Sequence, residues 1–227
     1  MIRLESVSKS YRAGSEVKVV AERISAVFPP RTGVVIFGRN GAGKSTLLRM
    51  IAGTQAPDSG RILRRGTLSW PVGFAGSFVG DMTGAQNVRF VARIQGVDTG
   101  DLLSFVEDFA ELGMHYHQPV RTYSSGMRAR LAFGISMGIH FDTYLVDEVT
   151  ATGDATFREK SAAVFRARIA RSGLVMVTHS MGLARQVCQI GGVLEAGRLT
   201  MYDNVADAIA HHMENQLRFK SAVPVAG

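Results

Sequence analysis

Nine consecutive residues constrain this chain more than any others: Gly38-Arg39-Asn40-Gly41-Ala42-Gly43-Lys44-Ser45-Thr46. They fit the pattern G-x-x-x-x-G-K-[ST] without a gap. The apolar run Val34-Val35-Ile36-Phe37 precedes them, after a turn at Thr32-Gly33. That run is short, β-branched and aromatic, and predicts a buried parallel strand. A helix is predicted from Lys44 to Ala52, stopped by Gly53. The order strand, glycine-rich turn, helix is the one the motif needs. A polyphosphate calls for many donors in a small volume. Gly41 and Gly43 let the backbone curl so that successive N–H groups converge. The helix N-terminus adds partial positive charge. Lys44 can reach terminal phosphates, Ser45 can ligate Mg²⁺, and Thr46 can cap the α-phosphate.

Other stretches supply the frame. Ile2, Leu4 and Val7, then 17–20, then 24–28, predict antiparallel strands closed by Pro29-Pro30. A turn is expected at 56–60, with strands at 61–63, 66–70 and 72–75. From residue 77 the texture becomes glycine-rich and then helical, with apolar spacing at Val88, Val91 and Ala92 and at Leu102, Phe105, Val106 and Phe109. The strand Thr143–Glu148 ends in two acids. A helix over 154–171, a strand over 174–177 ending at Thr178-His179, a hairpin turning at Ala196-Gly197, and a last helix over 203–217 complete the chain. The expected architecture is α/β. An α/β core with its β-subdomain spans 1–76 and 139–202, a helical subdomain is inserted at 77–138, and a C-terminal helix and tail occupy 203–227.

Composition narrows the classes. Hydrophobic residues make up 46% of the chain, too many for a disordered protein. The formal net charge of +7 suits nucleic acid, anionic lipid or an acidic polymer. Its densest group, Arg158, Lys160, Arg166, Arg168 and Arg171, reads first as a solvated helix face. The lone Cys188 is expected in the core and in a reducing compartment. No early apolar run suggests a secretory signal, and no stretch approaches the roughly 18 apolar residues of a spanning helix.

Four further sites carry chemistry. Asp147, at a strand end, is placed to hold Mg²⁺, and Glu148 to accept a hydrogen bond from an attacking water. Tyr11 follows the first strand; its ring can stack on a base or be an ordinary edge aromatic. Tyr123-Ser124-Ser125-Gly126-Met127 opens a helix, which makes either a second anion site or a plain helix cap. His179 follows a buried strand, a common structural position.

Together these motifs resemble the nucleotide-binding subunit of ABC transporters, over nearly the whole chain. The resemblance implies a phosphate-loop NTPase core of the RecA-like kind. It makes Tyr11 the adenine-stacking aromatic, Gly38 to Thr46 the Walker A loop and Asp147-Glu148 the end of Walker B. Ser124, Ser125 and Gly126 become a degenerate Leu-Ser-Gly-Gly-Gln signature, with Met127 in place of glutamine. Asp154 lies where the dimer-contacting loop ends, after Val149 and Gly153, which replace the usual Pro and Leu. His179 becomes the switch histidine. The lid glutamine has no counterpart: Gly76 or Ser77 falls there. The segments 69–78, 82–84 and 87–90 resemble the capsular polysaccharide export ATPases of Gram-negative bacteria.

The resemblance implies ATP and Mg²⁺ as ligands, and Glu148, His179 and Lys44 as the catalytic set. It also implies a homodimer in which the Walker A loop of one subunit faces Ser124–Gly126 of the other. An integral membrane permease would dock near 77–96, where Phe78 and Phe90 are either contact or core residues, at the cytoplasmic face of the inner membrane. The glycan would not be contacted directly, and nucleic acid is not expected as a partner. O-antigen or other glycan export is the near alternative. A soluble ATPase of the same class acting on nucleic acid is the distant one; DNA- or RNA-stimulated hydrolysis would reveal it. A non-hydrolysing regulator is disfavoured by Glu148.

Overall fold

The structure, a computed structural model, describes residues 1–14, 16–73, 78–148 and 155–222, leaving aside the side chains of 13 and 219–222. The chain divides into two compact units. The first comprises Met1–Leu68, Asp142–Glu148 and Arg171–Gly227; the second comprises Ser69–Phe141 and Val149–Ala170.

In the first unit, β1 (Ile2–Ala13) and β2 (Glu16–Phe28) form a long antiparallel pair, and β4 (Ser59–Arg64) joins the other edge of β1. Two strands stand where three were expected. The reason lies in the bulges. Ser6 and Arg23 take φ of 50°, and the β1–β2 register slips between Leu4 and Val7 and again between Val7 and Lys9. Each slip shifts the inside–outside alternation, so one strand reads as fragments. Ser59 and Gly60, expected in a turn, already belong to β4.

The second sheet centres on β3 (Gly33–Phe37), buried along its whole length. Within this unit β6 (Thr143–Asp147), β7 (Gly173–Val177), β3, β8 (Ile190–Glu195) and β9 (Arg198–Tyr202) lie side by side in that order. The first four are mutually parallel, and β9 returns antiparallel. Registers Ile36↔Val177 and Asp147↔Val177 bring the carboxyl ends of β3, β6 and β7 to one level. Ligands of such sheets bind beyond those ends.

α1 (Lys44–Ala52) buries Leu47, Leu48, Met50 and Ile51 against Val34, Ile36, Leu145, Val175 and Val177. Each such side chain contributes about 1.5–3 kcal/mol by leaving water. Gly53 closes α1 in the left-handed conformation. α6 (Met181–Val187), which no sequence pattern announced, and α7 (Val205–Ala222) complete the unit. Cys188 is buried here as expected, and burial pushes its thiol up to about 12.

The boundary strand β5 (Leu68–Pro71) is shorter than expected, and Val72 and Gly73 form a turn rather than a strand. The second unit is helical: α2 (Gly84–Gln95), α3 (Thr99–Ala110), α4 (Ser125–Gly138) and α5 (Ala155–Ile169). Thr83 and Gln86 form a capping box on α2. Gly138 lets α4 press close to α3, since a Cβ there would lie 2.4 Å from Leu102 Cδ1. The basic residues of α5 are partly committed. Lys160 pairs with Glu111 at 2.6 Å, and Arg168 donates to the Met137 carbonyl at 2.7 Å. Among the described residues no helix is long and apolar enough to cross a membrane.

Candidate functional site

A cavity of about 550 Å³ opens at the carboxyl ends of β3, β6 and β7, built entirely from the first unit. Tyr11, Lys18, Asn40, Gly41, Gly43, Lys44, Ser45, Thr46, Asp147, Glu148 and His179 line it. Three separate sequence motifs therefore converge on one space.

The phosphate-loop geometry explains its glycines. Gly43 sits at φ 103°, and a Cβ there would meet Val20 Cβ at 2.8 Å. Gly38 lies so close to Leu194 that a Cβ would come within 2.5 Å of its carbonyl oxygen. The loop is wedged between β2 and β8, and only glycine fits. Gly38, Arg39 and Ala42 line a second cavity behind the loop, which Asn40 and Gly41 divide from the first.

Lys44 is buried, and its ammonium donates to the Gly38 and Arg39 carbonyls at 2.8 and 2.9 Å. Burial draws its pKa below the ordinary lysine value, and the nearby Glu148 and Asp147 carboxylates partly offset that. It is a desolvated cation held at the loop mouth. Glu148 and His179 face each other, Nε2 to Oε1 at 3.2 Å. Glu148 takes φ 50°, its N–H bonded to the Val177 carbonyl at 2.9 Å.

Tyr11 is pinned from two sides that the sequence did not signal. Its hydroxyl meets Thr46 Oγ1 at 3.4 Å and accepts a hydrogen bond from Gln55 Nε2. Those two bonds, Thr46 first, lower its phenol pKa. Asp58 fixes the strand just before it, accepting from Lys9 Nζ at 2.5 Å and the Ser10 N–H at 2.7 Å. Lys18, Gln55 and Asp58 were missed because lone polar residues outside a motif carry no pattern.

The donor set suits a nucleoside triphosphate with a hard cation. Ser45 and Asp147 offer one hydroxyl and one carboxylate, as Mg²⁺ takes when phosphates and water fill its other positions. Among the described residues no cluster of three His, Cys, Asp or Glu offers an all-protein metal cage.

Ser124, Ser125 and Gly126 belong to the second unit. Ser124 Oγ caps α4 by accepting from the Met127 N–H at 3.2 Å, and Ser124 and Ser125 are exposed. Asp154, Val149, Gly153 and the lid positions Gly76 and Ser77 lie outside the described residues. Of the predicted contact aromatics Phe78 is half-buried and Phe90 exposed, with Val79 and Ile94 also exposed. Asn87 is structural: its amide caps the Val79, Met82 and Thr83 carbonyls.

A buried parallel strand, a glycine loop and a helix carrying Lys-Ser-Thr, facing a strand that ends in Asp-Glu, define a phosphate-loop nucleoside triphosphatase. The family model of the ABC transporters matches residues 21–151. The polysialic acid transport ATP-binding protein KpsT of Escherichia coli is 47% identical, over 92% of this chain and 95% of its own. The capsule polysaccharide export ATP-binding protein CtrD of Neisseria meningitidis serogroup B is 42% identical, over 93% and 98%. The fold superposes on a dimeric, post-hydrolysis ATP-binding cassette, MJ0796 bound to ADP and Pi, with TM-score 0.75. That match has 20% identity and covers 89% of this chain and 98% of that one. The chain belongs to the ABC transporter family, and its activity is ATP hydrolysis.

Proposed function

We propose that this chain is the ATPase subunit that energises export of a capsular polysaccharide across the inner membrane, working as a homodimer against a membrane permease. What supports the reading is that KpsT and CtrD, matched along nearly their whole length, are named for transport of surface glycans.

The residues take roles that follow from their placement. Tyr11 stacks on the adenine. The backbone N–H groups of Gly38 to Gly43 and the N-terminus of α1 cradle the phosphates. Lys44 leaves its carbonyl partners for the terminal phosphates, where its charge is better compensated. Ser45 and Asp147 hold Mg²⁺, which when bound supplies charge neutralisation at the transferred group. Glu148 accepts a hydrogen bond from the attacking water. His179, tied to Glu148, holds that carboxylate and reaches the γ-phosphate.

The cavity is built by the first unit, and in the homodimer the serine cluster Ser124–Gly126 of a second copy completes it. Asp154 of the loop after Walker B belongs to that dimer contact. Closure on ATP and reopening after hydrolysis would drive the permease, with Phe90 and Ile94 of the second unit as its docking face. The subunit works at the cytoplasmic face of the inner membrane, and the glycan does not touch it.

The test is complementation. Expressed in an encapsulated bacterium whose own capsule-export ATPase is deleted, the chain restores surface polysaccharide, and Lys44→Ala does not. Polysaccharide that stays inside the cell despite normal expression, together with hydrolysis stimulated by DNA or RNA, would transfer the protein to the nucleic-acid-linked ATPases.

A further inference from the structure

Lys18 belongs to no motif, yet it lines the nucleotide cavity and also the cavity behind the loop. It sits on β2, and Lys18 and Val20 both line the nucleotide cavity. Val20 lies against Gly43, where a Cβ would come within 2.8 Å of it. Two residues earlier on each chain segment the relation repeats: a Cβ on Gly41 would lie 3.3 Å from Lys18 Nζ. β2 thus runs along the phosphate loop with Val20 as spacer and Lys18 as a cation at the turn. Across the β1–β2 pair, Lys18 is the direct partner of Tyr11.

Among the described residues the ammonium is uncommitted. Four of the five lysines have described side chains. Lys9 is bound to Asp58, Lys44 to loop carbonyls and Lys160 to Glu111. Lys18 makes no hydrogen bond or ion pair among the described residues. An exposed lysine held over the turn at Gly41, with no acceptor among the described residues, is placed to take the polyphosphate that the loop encloses.

We infer that Lys18 is a further triphosphate-binding residue, a second lysine that reaches the phosphates from the β-subdomain while Lys44 reaches them from the helix. Its contribution is that of a partly solvated point charge, and so smaller than that of Lys44. The inference rests on ATP binding alone and stands or falls independently of any glycan or permease.

The experiment compares Lys18→Met and Lys18→Arg with the native chain. ATP and adenosine affinities are read by displacement of a fluorescent ATP analogue in Mg²⁺ buffer at several ionic strengths. Lys18→Met weakens ATP about three- to tenfold, leaves adenosine unchanged and flattens the salt dependence of ATP binding. Lys18→Arg restores most of the affinity. Equal losses for ATP and adenosine would assign Lys18 to shaping β2, and unchanged ATP affinity would remove it from the site; either result overturns the inference.

Discussion

His179 Nε2 lies 3.2 Å from Glu148 Oε1, an ion-pair distance across the ends of two parallel strands. Glu148 holds this position with φ at 50°, a left-handed backbone that a glutamate adopts only under constraint. Its own N–H is fixed to the Val177 carbonyl of the next strand. Strain kept at a carboxylate beside a phosphate loop favours a positioned base over a solvated loop acid.

Glu148→Gln keeps the shape and loses the charge. Hydrolysis should fall by about 10²–10⁴-fold while ATP affinity is retained. ATP then accumulates in the variant, and gel filtration should show an ATP-dependent dimer. Phosphate release at the native rate would take Glu148 out of the reaction.

Lys44 yields a pH prediction. Burial lowers its pKa in the free protein, so part of the population is neutral below the usual lysine value of about 10.4. Bound phosphates favour the charged form and raise the pKa again. Binding therefore takes up protons on the alkaline side, and ATP affinity declines there before a free lysine would titrate. Calorimetry on the alkaline side in two buffers of different ionisation heat should report uptake. Proton release would contradict the placement. Lys44→Ala should lose more than tenfold in affinity, as for a charge-assisted contact.

Gly43→Ala tests the wedge between β2 and the loop. The added methyl meets Val20 Cβ at 2.8 Å at a position already at φ 103°. Strain of about 1–3 kcal/mol should lower the melting temperature and displace the loop, with at least a tenfold loss of ATP affinity. The double variant Gly43→Ala with Val20→Ala should not recover the melting temperature, because the atoms met, the Cβ and the carbonyl oxygen of residue 20, are present in alanine too.

Tyr11 and Gln55 separate stacking from anchoring. Tyr11→Ala removes the ring and should cost about 1–3 kcal/mol of ATP binding. Tyr11→Phe keeps the ring but drops its bonds to Thr46 and Gln55, and should cost several-fold less. Gln55→Leu should cost no more than Tyr11→Phe, since it removes one of the hydroxyl's two bonds and leaves the one to Thr46. Titration of the three variants with one fluorescent nucleotide ranks them.

Legibility followed pattern length. The loop, the runs Val34–Phe37 and Leu174–Val177, and the Asp147–Glu148 strand end could be read directly, because a buried parallel strand is a continuous apolar run and the glycine pattern is long. β1 and β2 could not be delimited, since Ser6 and Arg23 bulge out of phase without a glycine to mark them. α6 is only Met181–Val187, too short to show a helical period. Ser124 was legible both as cap and as anion site, and it does cap α4. Lys18 lines the site from β2, Gln55 touches it only through Tyr11, and His212 lines the cavity behind the loop, and only the fold reveals them.

His212 is the remaining case. Its ring stacks on Phe37, centroids 5.3 Å apart at 14°, directly before Gly38 of the loop. It is buried, and its Nε2 accepts from the Gln216 amide at 2.9 Å, which fits only the neutral ring. Burial lowers its pKa first; the charges of His179, Lys44 and His211 lower it further, and Glu195 opposes them. The unfolded chain therefore takes up the proton first as pH falls. Stability is intact above the unfolded value of about 6.5 and is lost as pH drops through it toward the folded pKa. His212→Phe keeps a stacking ring and removes the titration. Between pH 7.5 and 5.5 its melting temperature should fall less than that of the native chain. Equal falls in the two proteins would show that acid acts elsewhere.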